Sequence, residues 1–114
     1  MANQAAPEIE VVLDRPRKLR FDLNAMIRLE EALGINLLGQ ADENAEAKVE
    51  AEALESLRGI RAMLWACLIH EDPDLTPEYV GTLLHVGNLA QISALMQRIW
   101  SLSTPKAGKS RPPG

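Results

Sequence analysis

The chain has 114 residues, 46% of them hydrophobic, which suits one domain with a modest core and argues against wholesale disorder. A formal charge of −4 and a pI near 5.1 argue against a dedicated nucleic-acid binder, whose footprint is basic. The single cysteine, Cys67, excludes an intrachain disulfide, and no apolar run approaches the ~18 residues that span a bilayer.

Residues 1–7 are small and polar and are expected to be flexible. The opening MANQAAPEIE lacks the basic and apolar regions of a signal peptide, so a soluble intracellular protein is expected. From Glu8 to Leu13 β-branched residues partly alternate, Asp14-Arg15-Pro16-Arg17 reads as a turn, and Leu19 and Phe21 share a face. Residues 8–21 therefore read as a β-hairpin. An isolated hairpin is marginal in water, so it is expected to pack on helices or to pair through its edge.

Asp22 is a good N-cap for a helix over 22–33, with Gly34 as its stop. Ala25, Leu29, Ala32 and Leu33 fall on one side, with Met26 beside them. After Ile35-Asn36-Leu37-Leu38-Gly39 the composition changes. Residues 40–52 form an acidic loop or helix start, rich in Ala and Glu. The central helix is placed at 53–70. Leu57, Ile60, Leu64 and Leu68 keep a helical stripe, and the stretch Ile60 to Ile69 is apolar nearly all round, as in a helix buried by its neighbours. Gly59 interrupts that stripe at a cost of about 1 kcal/mol relative to Ala, with a close helix crossing as the expected compensation.

His70-Glu71-Asp72-Pro73 reads as a helix stop. Thr76 then caps a helix over 77–86, with Pro77 at the first helical position and Leu75 and Val80 placed as a hydrophobic staple. Val80, Leu83 and Leu84 form its inward face and Gly87 its end. Asn88, with Gln91 at the capping-box position, opens a last helix over 89–102 carrying Leu89, Ile92, Leu95, Met96, Ile99 and Trp100. Residues 104–114 are rich in Pro, Gly and Lys and are expected to be disordered. The fold class is mainly α: a small domain of about four helices with an N-terminal β-hairpin.

Chemistry is sparse. His70 and Glu71 are adjacent, so a helix points them about 100° apart and they cannot chelate one ion together. His85 lies fifteen residues from His70, so the metal-site spacing of two His one turn apart is missing. Cys67 sits in an apolar run with no basic neighbour to activate it. No glycine-rich phosphate loop or nucleophile elbow is present, and the expectation is a protein that is not an enzyme, with no cofactor and no catalytic or metal residue. Arg15, Arg17, Lys18 and Arg20 make the only compact basic patch, a solvated turn or a docking point for an acidic partner surface such as residues 42–55 of another copy. Leu37, Leu38, Trp100 and Leu102 are apolar residues at element ends. They are core or, where contiguous and exposed, a partner site. The candidate partner-binding residues are thus Arg15, Arg17, Lys18, Leu37, Leu38, Trp100 and Leu102.

Two strings, LRFDLNAMIRLEEALGINLL and IRAMLWACLIHEDPDLTPEYVGTLL, resemble the tail assembly chaperones of long-tailed phages and gene transfer agents. The likeness runs from about Leu13 to Trp100, and Arg61, Leu64, Trp65, Ala66, Leu68, His70, Glu71, Asp72, Pro73 and Thr76 match the second block. Cys67 stands where Gly is common in that family, and the acidic insertion after Gly39 is longer. The resemblance implies a non-catalytic chaperone that binds the tape measure protein, with the tail tube protein and self-association as further contacts and no membrane or nucleic-acid partner. It implies action in the bacterial host cytoplasm and absence from the mature virion. A longer frameshifted form occurs in some members. The alternatives are a structural tail or connector component of the virion, and a small helical DNA-binding regulator, which the acidic balance disfavours.

Overall fold

In the hairpin, period-two alternation decides what is buried: Arg17, Leu19 and Phe21 point inward, and Glu8, Glu10, Lys18 and Val12 outward. The computed structural model describes residues 7–35 and 53–103. Strands β1 (Glu8–Val12) and β2 (Pro16–Arg20) pair antiparallel, with Ile9 opposite Leu19 and Val11 opposite Arg17. Four helices follow among the described residues: α1 (Leu23–Leu33), α2 (Leu57–Leu68), α3 (Pro77–Gly81) and α4 (Val86–Ser103). This is the small, mainly helical domain with an N-terminal hairpin that the patterning predicts.

The first helix starts where Asp22 accepts a hydrogen bond from the Ala25 amide at 2.9 Å. It ends at Gly34, whose φ of 67° is the left-handed conformation that lets its amide close onto Glu30. Ala25, Leu29 and Leu33 are buried, while Ala32, expected on the same side, is exposed.

Helix α2 is the hub. Eight of its 12 residues are buried, and α1, β2, α3 and α4 all pack against it. It is shorter than the predicted span of 53–70. Ser56 is extended, its hydroxyl accepts from the Gly59 amide at 2.9 Å, and the helix starts afresh at Leu57. Gly59 therefore lies in the first turn and not mid-helix, and the interior penalty expected for it does not arise. Leu57, read as part of the inward stripe, is 68% exposed. At the other end the helix stops at Leu68, and Trp65 Nε1 donates to the Leu75 carbonyl at 2.9 Å, which ties the following turn to the helix.

Thr76 caps α3 as expected, accepting from the Tyr79 amide at 3.0 Å, and Val80 is fully buried with Leu75 packed against the core. The helix ends at Gly81, not at residue 86: the Thr82 hydroxyl donates to the Tyr79 carbonyl at 2.6 Å and the chain turns. Helix α4 begins three residues before the predicted start. His85 takes the cap position. Its amide donates to Asn88 Oδ1 at 2.9 Å and its Nδ1 accepts from the Gly87 amide at 3.1 Å, a reciprocal box with His where Ser or Thr is usual. Gly87 is thus inside α4 and does not end α3. Ile92, Met96, Ile99 and Trp100 are buried along α4, and the Trp100 ring lies 5.7 Å from that of Phe21, joining the end of the hairpin to the end of the chain's last helix.

Candidate functional site

Two surfaces are candidates for a functional site: the junction between hairpin and helices, and an apolar groove at the start of α2 and α4. At the junction, alternation carries Arg17 to the inner face of β2, where its side chain is only 3% exposed. Its Nε and Nη2 donate to the two carboxylate oxygens of Asp14 at 2.7 and 2.8 Å, a bidentate pair. Nη1 stands 3.7 Å from Asp72. Asp14 also accepts from the Tyr79 hydroxyl at 3.0 Å, so three segments meet at one carboxylate. The Arg17 hydrogen bonds hold the Asp14 carboxyl well below its ordinary value, and the same contact raises Arg17. Tyr79 is raised by its hydrogen bond to Asp14.

The turn after α2 completes the junction. His70 Nε2 donates to the Lys18 carbonyl at 2.7 Å, and the Lys18 amide reaches Glu71 at 3.3 Å. A carbonyl only accepts, so Nε2 carries the proton in this contact. Arg15 lies 3.6 Å from Asp72, and Arg20 donates to Glu8 at 2.9 Å across the hairpin. The His70-Glu71-Asp72 cluster follows the end of α2, as its reading as a helix stop expects, and His70 and Glu71 also clamp the outer edge of β2.

These contacts relocate the predicted basic patch. Arg17 is buried and its charge is used within the fold, so it offers no partner surface. Arg15 is exposed beside Asp72, and Lys18 is exposed on the outer face of the hairpin. The predicted apolar ends separate: Trp100 is buried at 6% exposure, whereas Leu102 is 55% exposed. Leu37 and Leu38 lie outside the described residues, as do residues 1–6, 36–52 and 104–114 with the flexible, acidic and disordered segments expected there. Cys67 is buried, and desolvation pushes its thiol far up from the ordinary value, so it is a packing residue in this state. Among the described residues no group of three or more His, Cys, Asp or Glu is placed to hold a metal ion, and no helix is long and apolar enough to cross a membrane.

The groove was not foreseen. It measures about 590 Å³, and Leu57, Leu84, Val86 and Leu89 form its apolar lining, with Arg58 and Arg61 beside them. Val86 is 94% exposed, the most exposed large hydrophobic residue among those described. Its position follows from α4 starting at residue 86, which puts Val86 at an exposed first helical position and not at the end of α3. The His85–Asn88 box is the local signal for this exposed position of Val86.

Comparison with protein-family models, with curated proteins and with solved structures gave no match.

Proposed function

We propose that this chain is a tail assembly chaperone of a long-tailed phage or gene transfer agent, a non-catalytic protein that binds the tape measure protein and keeps it soluble until the tail tube forms around it. The reading draws its identity from the resemblance of residues 19–38 and 60–84 to that family. The observation that favours client binding is the exposed apolar groove, because aliphatic side chains gathered at one concave surface mark a partner site more often than a solvated face. A client rich in apolar helical stripes would be covered there, while the chaperone's net charge of −4 would oppose aggregation of the complex. The protein would act in the host cytoplasm.

Co-expression with a tape measure fragment tests the reading. The fragment is expected to move to the soluble fraction and to co-purify with the chaperone, and a fragment that stays equally insoluble with and without this chain refutes the proposal. Mass spectrometry of purified particles separates a chaperone, absent from them, from a permanent tail or connector component.

A further inference from the structure

The groove has a shape and a charge pattern that the chaperone reading does not specify. It continues into a second hollow of about 550 Å³, also lined by Leu57, Val86 and Leu89 and reaching to Leu54 and Ala90. Two apolar hollows sharing three aliphatic side chains make a trough, the form that accepts side chains one helical turn apart along a stripe. Leu57 and Val86, at 68% and 94% exposure, stand on its walls and contribute little to the core of the isolated chain.

The ionisable groups lining the first hollow are Arg58, Arg61 and His85, and no carboxylate lines it among the described residues. Glu55 lines the second hollow. In a chain of net charge −4 this end of the trough is locally basic. Arg61 lies flat across α3: a Cβ at Gly81 would stand 3.1 Å from its Cδ, so the absence of a side chain there gives the arginine its place. Arg61 lines the hollow as a half-buried residue, and its buried Nε makes no hydrogen bond within the described residues, so the guanidinium has no partner there to offset its charge.

Resting on the chaperone reading, we propose that this trough docks an amphipathic helix of the client whose apolar stripe ends in a carboxylate, with the stripe between Leu57, Val86 and Leu89 and the carboxylate against Arg61. Charge complementarity selects this occupant over a purely aliphatic helix, since the Arg61 guanidinium would otherwise be desolvated without compensation. It also sets the direction in which the client helix lies, acidic end toward α3 and away from Glu55.

The test uses the full chain and two fluorescent synthetic helices that carry the same leucine stripe, one followed by Glu and the other by Lys. The Glu peptide is expected to bind about 10-fold more tightly at low salt, and Arg61→Gln should erase that difference. Val86→Asp should abolish binding of both. Its position in the first turn of α4 suits a carboxylate, so the variant keeps its fold, which circular dichroism verifies. Ile27→Asp, an equally drastic change on the exposed side of α1, should leave binding intact. Equal affinity for the two peptides, or binding that survives Val86→Asp, overturns the proposal. So does a dimer in sedimentation that Val86→Asp dissociates, because the occupant would then be a second copy. A Val86→Asp chain that still solubilises a tape measure fragment refutes the groove but not the chaperone. Correct peptide discrimination with an insoluble fragment supports the groove and refutes the chaperone.

Discussion

Replacing Arg17 with Met removes the guanidinium while leaving most of the aliphatic stem between β2 and the turn after α2. Two hydrogen bonds to Asp14, at 2.7 and 2.8 Å, disappear. A hydrogen bond to a charged partner contributes about 1.5–3 kcal/mol. The Asp14 side chain is 27% exposed and regains part of this from water. The buried Nη1, which has no hydrogen-bond partner, is removed as well, and its desolvation cost goes with it. The net loss is about 2 kcal/mol, which for a domain of this size lowers the melting temperature by roughly 10 °C. Arg17→Ala gives up two further buried methylenes, about 1.5 kcal/mol more. Lys18→Met is the control: its side chain is exposed and its clamp contacts are made by the backbone, so a change within about 0.5 kcal/mol is expected. Thermal and urea unfolding followed by circular dichroism measure all three. An Arg17→Met chain that melts with the Lys18→Met control refutes the view of Arg17 as an internal anchor, and would return it to the exposed patch read from sequence.

The folded Asp14 carboxyl lies below its ordinary value of 3.8, so its stabilisation is complete above that pH and is lost as the pH falls below it. Between about pH 4 and pH 2 the urea midpoint of the natural chain should therefore fall more steeply than that of Asp14→Asn. Asn88→Ala removes the bonds to the His85 amide and to the Leu83 carbonyl and should cost about 1 kcal/mol by urea titration. Cys67 should resist iodoacetamide in the native protein and react readily in denaturant, and equal rates in the two conditions would contradict its burial.

What could be read from the sequence was what local chemistry encodes. Asp22, Gly34 and Thr76 work as caps in the structure because a cap needs only its own side chain or backbone and an amide within a few residues. The inward residues of the hairpin followed from alternation at Leu19 and Phe21. One further step of the same alternation reaches Arg17, but its charge suggested solvent. Ser56 is an ordinary N-cap residue, yet the apolar stripe running on from Leu54 concealed the break it makes. His85 seldom caps a helix, so the start of α4 was set at the more familiar Asn88 and Val86 lost its meaning. The clamp formed by His70 and Glu71 joins residues 52 and 53 positions apart, and no local pattern announces it. For the same reason the groove, assembled from the starts of two helices and the turn between α3 and α4, had no sequence signature of its own.

That clamp has a consequence for how copies of the chain can meet. A two-stranded sheet has two rims at which another strand can add, and the side chains of His70 and Glu71 occupy the backbone groups of Lys18 on one of them. Strand addition is thereby confined to β1 at most, unless the turn after α2 first lets go. Rim-to-rim growth that uses β1 alone joins two molecules and then stops, since each partner has spent its single open side. Pairing through the hairpin alone is in this way barred from propagating a fibre.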